Sequence, residues 1–105
     1  MSDALEQLRA SRSLLADPAA WTRETYARDR YGDPVHSAFD EAACWCAYGA
    51  LERQGASGSS EASEYLRSAA LVLFDSWPAC VNDDRGHEAV LHMFDRAIEL
   101  AESQS

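Results

Sequence analysis

The run ACWCAYGAL, residues 43–51, places Cys44 and Cys46 either side of Trp45 and follows them with Gly49. Thiols so close together suggest a metal pair, a redox pair or an activated nucleophile. The redox pair is excluded by spacing, because it needs two intervening residues rather than one. On a helix, which this Ala-rich stretch predicts, the two cysteines point about 200° apart and cannot share an ion. A nucleophile needs a lowered pKa and a nearby base. His36, His87 and His92 could supply one only through folding, and no local signature pairs them. The run reads better as a packing seam. Cys46 aligns with Phe39, Ala42, Ala43 and Ala50, and Cys44 with Ala47 and Leu51. Gly49 costs about 1 kcal/mol against Ala inside a helix, which a close crossing that excludes a Cβ would justify.

Other groups were weighed in the same way. Cys80, His87 and a second histidine lack the paired spacing of a zinc site. His87 is expected at the edge of the core and His92 in solvent. Asn82, Asp83 and Asp84 lack the alternating ligands and the terminal Glu of a calcium loop, and read as a turn with an N-cap. No metal or cofactor is called for.

Two surfaces could bind something. Glu88, Asp95, Glu99 and Glu102 fall on one face of a single helical stretch, and Glu61 and Glu64 add charge on the preceding one. Together these six form a candidate docking face for a basic protein. The stretch 21–35 combines Trp21, Tyr26 and Tyr31 with Arg23, Arg28 and Arg30, residue types that anchor interfaces. With the Cys-Trp-Cys run it defines a candidate cleft of Trp21, Tyr26, Arg28, Asp29, Trp45 and Cys46.

The positioning elements follow from periodicity and punctuation. Asp3 and Glu6 read as a capping box opening a helix over about 3–16, closed by Pro18. Tyr31-Gly32-Asp33-Pro34 supplies turn chemistry, so 21–35 reads as a short hairpin or ordered loop. Ser37 or Asp40 is expected to cap a second helix reaching Arg53, before the flexible GASGSS. Ser60 caps a third helix over about 61–76. ACVNDDRG, 79–86, reads as a turn-rich connection, and Asp84 as the cap of a fourth helix over about 85–102, with the tail SQS fraying. AALVLF at 69–74 is apolar nearly all round, which predicts a central third helix. The expected fold is mainly α: one compact domain, residues 1–105, of about four helices with the 21–35 segment packed on its side.

Charge narrows the partners. Eighteen carboxylates oppose nine cations, all arginine, for a net −9. Residues 1–54 hold nine acids and six Arg, net −3, and residues 55–105 nine acids and three Arg, net −6. Such a surface repels phosphates and anionic lipids, which disfavours direct nucleic-acid or membrane binding. The start shows no signal-peptide pattern, and three cysteines are an odd count, so a reduced cytoplasmic protein, monomer or dimer, is expected.

The pieces ADPAAWT (16–22), ARDRYGDPV (27–35), CWCAYGALER (44–53) and VLHMFDRAIELA (90–101) carry a resemblance to a known family. The chain resembles a family of short proteins from actinobacteria, other GC-rich bacteria and their phages that is classed only as a domain of unknown function. VNDDRGH at 81–87 fits more loosely, since Val81 stands where that family tends to have Trp. The resemblance implies a small α-rich domain and transfers no catalytic residue, and the phage members suggest a host-interaction role. The leading expectation is a non-enzymatic acidic interaction module, phage- or mobile-element-encoded, that binds and thereby inhibits a basic host protein such as a nucleic-acid-handling factor. The alternative is a small ligand-binding domain or enzyme with its cleft between the 21–35 segment and helix two. A third reading, dimerisation, would be favoured by an exposed AALVLF or Trp77.

Overall fold

Five helices and one two-stranded sheet make up the computed structural model, which describes residues 3–104. The helices are α1 (Asp3–Leu15), α2 (Ala47–Arg53), α3 (Glu61–Phe74), α4 (Pro78–Asp84) and α5 (His87–Ser103). Strands β1 (Ala27–Asp29) and β2 (Ala42–Trp45) pair antiparallel.

The expected first helix is α1. Asp3 is its first residue and, with Glu6, places negative charge in the first turn, so neither forms the cap that was expected. α1 buries Ala4, Leu8, Ser11 and Leu15, the i, i+4, i+7 and i+11 stripe of an amphipathic helix. α3 opens as predicted, with the Ser60 side chain accepting from the Ser63 N–H at 3.2 Å. It closes at Asp75, which adopts a left-handed φ of 51°. α5 buries Val90, Met93, Phe94, Ala97 and Ala101. Of the tail SQS, Ser103 is still helical and Ser105 lies outside the described residues. α1, α3 and α5 pack on one another around Leu8, Leu66 and Phe94, all fully buried.

Three expectations are corrected. Residues 42–45 form a strand, so neither Ser37 nor Asp40 caps helix two, which begins at Ala47 with Cys46 as its cap. Pairing with β1, in the register Ala27↔Trp45 and Arg28↔Cys44, outweighs the helical preference of the alanines. The 21–35 segment does turn back on itself as a short hairpin, bridged between Arg28 and Pro34, with the Asp29 N–H donating to the Asp33 carbonyl at 2.8 Å and the Val35 N–H to the Ala27 carbonyl at 3.0 Å. Its strand β1 pairs with β2 on the other side. Residues 78–84 form the helix α4, entered through Pro78 at the first turn, where its missing N–H costs nothing. Consequently Gly86, at φ 99°, precedes α5, and Asp84 caps nothing. Finally, α3 is central only along its first three turns. Leu71, Val72 and Trp77 are 61%, 63% and 67% exposed, because the buried stripe Ala62, Leu66, Ala69, Ala70 ends before them.

Gly49 shows how the 21–35 segment packs on α2. A Cβ there would lie 1.9 Å from the Tyr26 carbonyl oxygen, so the backbone of the 21–35 segment crosses directly over α2. The close crossing is real, but the neighbour is an extended segment and not a helix.

Candidate functional site

Buried Asn82, on α4, organises the region where the extended segment meets α2. Its Oδ1 accepts from Trp21 Nε1 at 2.7 Å and from the Ala47 N–H at 3.0 Å. Its Nδ2 donates to the Thr22 carbonyl at 3.0 Å and to Asp83 Oδ1 at 3.1 Å. Both donors and both lone pairs of the amide are used, which orients it uniquely. Asp83 Oδ1 also accepts from the Glu24 N–H at 3.0 Å, which holds Glu24 at a left-handed φ of 68°. A non-glycine residue there is strained and persists because its surroundings impose it. The expected turn with an N-cap is thus a helix whose Asn-Asp pair ties down a segment some sixty positions away in sequence. Periodicity carries no trace of this; a polar Asn flanked by Trp- and Asp-rich turns was the available signal.

Between these elements lies a cleft of about 220 Å³, lined by Glu24, Thr25, Tyr26, Cys46, Ala47, Tyr48, Ala79, Asn82 and Asp83. Of the six cleft residues expected from the sequence, Tyr26 and Cys46 line it. The other four do not line it, and Asp29 borders a separate groove with Arg30, Tyr31, Asp40 and Glu41. Trp21 is held by Asn82 and lies against His87, with ring centroids 5.7 Å apart. Trp45 is buried and donates from Nε1 to the Ser37 carbonyl at 2.9 Å. Arg28 braces the turn by donating to Thr22 Oγ1 and to the carbonyls of Gly32 and Arg23. Asp29 Oδ1 accepts from the N–H groups of Tyr31 and Asp33.

The cysteine at the cleft wall is a cap, not a nucleophile. Cys46 Sγ accepts from the Gly49 N–H at 3.3 Å, and its own N–H donates to the Tyr26 carbonyl. Burial pushes its thiol pKa up, and the nearby Asp83 carboxylate adds to that. A raised pKa keeps the sulfur protonated, the opposite of what nucleophilic catalysis requires. Cys44 lies on β2 and Cys80 is exposed on α4. The argument that the first two diverge on a helix falls with that helix. Among the described residues no three His, Cys, Asp or Glu side chains gather where a metal could sit. His87, at the core edge as expected, meets the Leu15 carbonyl at 2.6 Å through Nε2. A carbonyl can only accept, so Nε2 carries the proton. His92 is exposed, as expected.

The acidic residues divide into two sets. Asp95 accepts from Arg12 at 2.9 Å, Glu102 from Arg9, and Glu99 from Arg96 at 3.0 Å. Two of these pairs lace α5 to α1, so this part of the stripe faces arginines. Glu61 and Glu64 in the first turn of α3, and Glu88 in the first turn of α5, are exposed and in no ion pair among the described residues. They complement the helix N-termini.

The largest exposed apolar patch lies elsewhere, at the end of α3. Leu71 and Trp77 join Arg67, Ser68, Asp75 and Ser76 around a groove of about 450 Å³. Leu73 and Phe74 border a second groove of about 320 Å³ with His92, Asp95, Arg96 and Glu99. No helix is long and apolar enough to cross a membrane among the described residues.

No curated protein and no solved structure matches the chain. The chain belongs to DUF6197, a family of unknown function, which matches it over residues 1–100.

Proposed function

We propose that this chain is a non-enzymatic interaction module that docks on a protein with a basic surface. The observation that carries this reading is the exposed apolar end of α3, where Leu71 and Trp77 border one groove and Val72 is also largely exposed. A surface tryptophan beside branched aliphatics is the composition of an interface anchor. Charge selects the occupant. A second copy would bring two chains of −9 together, whereas a basic partner is attracted over the same distance. Locally the two grooves hold Asp75, Asp95 and Glu99 against Arg67 and Arg96, so steering comes from the whole molecule's field and anchoring from the apolar residues. A nucleic-acid-handling host protein, as the chain's resemblance to phage-borne relatives suggests, would present such a surface.

The test compares the wild-type chain with Trp77→Ser and Leu71→Ser in parallel captures from a bacterial lysate at low and high salt. Both side chains are exposed, so circular dichroism should show the fold intact. The expected result is a basic protein released by salt and lost with either substitution. Retention of that protein by both variants would remove the patch from the reading. Self-association in sedimentation experiments, abolished by Leu71→Ser, would make the occupant a second copy and overturn it.

A second reading, a small ligand-binding domain, is favoured by one observation, the cleft between Tyr26, Cys46, Tyr48 and Asp83.

A further inference from the structure

We infer that the cleft between the extended segment, α2 and α4 is a site for an organic cation, an alkylammonium or guanidinium group, held between two phenols and two carboxylates. The inference rests on the ligand-binding reading and names the class of ligand.

The lining carries four groups of matching chemistry. Glu24 and Asp83 supply the negative charge, and neither has an ion-pair partner among the described residues. Asp83 is not free to turn away. Its Oδ1 is fixed by the Asn82 amide and the Glu24 N–H, and Oδ2 accepts no hydrogen bond among the described residues. Tyr26 and Tyr48 line the same cleft, and aromatic rings attract cations through their quadrupoles. These groups therefore share one small space.

Size and neighbours limit the ligand. A volume of about 220 Å³ falls below the ~300 Å³ at which sites for drug-sized ligands begin, so it suits one side-chain-sized group. Among the described residues no arginine lines the cleft; Arg67, which bears on the Tyr48 hydroxyl, is engaged through Nη1 with the Gly58 carbonyl at 2.8 Å. An anion would meet two carboxylates in the cleft, and a neutral group would leave both unused. The Glu24 backbone is kept in its strained conformation by Asp83 itself, so the two acidic residues are adjacent by virtue of that hydrogen bond.

The cation could belong to a free amine metabolite or to an Arg or Lys side chain of a protein. Both present the same chemistry, and the experiment separates them. Amide chemical shifts of the full chain are followed on titration with butylguanidinium, with its neutral isostere butylurea, and with an acetylated, amidated Gly-Arg-Gly peptide. The expected result is saturable binding of butylguanidinium with shifts concentrated at Glu24, Ala47, Asn82 and Asp83, and at least tenfold weaker binding of butylurea. Peptide binding as tight as that of the free cation would assign the site to a protein side chain, and much weaker peptide binding to a small molecule. Glu24→Gln, whose side chain makes no hydrogen bond in the structure, and Asp83→Asn, which keeps the Oδ1 acceptor, should each weaken the cation about fivefold. Equal binding of butylurea and butylguanidinium would overturn the cation and leave the ligand-binding reading standing. Shifts that never saturate and spread over all the exposed carboxylates would overturn both. Unchanged affinity in both variants would also overturn the cation.

Discussion

The two halves of the molecule are held together by different physics. α1, α3 and α5 meet through fully buried apolar side chains such as Leu8, Leu66 and Phe94. The polar contacts between α1 and α5, Arg9–Glu102 and Arg12–Asp95, sit in solvent, where an ion pair contributes little. In the other half, the segment from Trp21 to Cys46 is held against α2 and α4 by directed contacts. These are the Asn82 bonds to Trp21 and Thr22, the Asp83 bond to the Glu24 N–H, the short β1–β2 ladder and the approach of the Tyr26 backbone to Gly49, while a further Asn82 bond to the Ala47 N–H ties α4 to α2. The first kind of cohesion tolerates substitution gradually, because apolar contact is non-directional. The second fails at single atoms, because an unpaired buried polar group keeps its full desolvation cost. The candidate cleft lies in the second half, where a few hydrogen bonds can hold a strained residue such as Glu24 in place.

Breaking the first region should have the largest effect. Phe94→Ala empties the largest fully buried side-chain position and should cost about 3–5 kcal/mol in urea unfolding. A loss under about 1 kcal/mol would show that the helical half does not carry most of the stability.

Asn82→Ala leaves the Trp21 indole N–H and the Ala47 N–H without their acceptor, and should cost about 2–3 kcal/mol. The sharper readout is where the loss appears. Hydrogen exchange should accelerate at Thr22, Cys46 and Ala47 well before it does at Leu8 or Phe94. Uniform acceleration across all five helices would mean that the two regions open as one and that the comparison fails.

A smaller effect belongs to Cys46. Its thiol pKa is raised in the folded state above the ordinary 9.0. The unfolded thiol therefore ionises first, and the stability it contributes is present below about pH 9 and lost as the pH rises through the folded value. Wild type should lose stability over that alkaline window and Cys46→Ser, which keeps a capping oxygen, should lose less. Alkylation at neutral pH should modify exposed Cys80 first and buried Cys46 only on opening. Rapid labelling of Cys46 in the native chain would contradict its role as a buried cap.

The smallest effect is expected for Arg12→Ala. The Arg12–Asp95 pair is 32% and 51% exposed, so its loss should cost at most about 1 kcal/mol and less in high salt. A larger, salt-insensitive loss would show that the arginine's stem, rather than its charge, packs the α1–α5 seam.

The contrast explains which parts could be read in advance. The stripes of α1 and α5 and the Ser60 cap are local patterns, each set by residues a few positions apart, and they were legible. So was the significance of Gly49, because a glycine inside a helix carries a cost that needs a reason. Residues 42–45 were misread because helix propensity, even alanine's, is a small local bias, and pairing with a strand outside the stretch overrode it. Residues 78–84 were misread because Pro and Asn-Asp-Asp carry turn signals, although proline also starts helices well. Of the cleft, Tyr26 and Cys46 were found from the aromatic and thiol pattern, while Glu24, Tyr48 and Asp83 were missed. Their roles depend on contacts with residues distant in sequence, which no periodicity records.

By itself, the sequence determined the helical content, three of the helices, the excess of carboxylates and the need for a close backbone approach at Gly49. These depend on side-chain type and on spacings within a turn or two of helix. Only the tertiary structure decided that Asn82 joins three segments, that the Cys-Trp-Cys run is a strand leading into a cap, and that Asp95 and Glu102 on α5 face arginines of α1. It also decided that the apolar end of α3 lies open to solvent. The physical reason is common to all four. Each depends on which groups remain for a residue to meet once the backbone has closed on itself, and that is a property of the assembled chain rather than of any stretch of it.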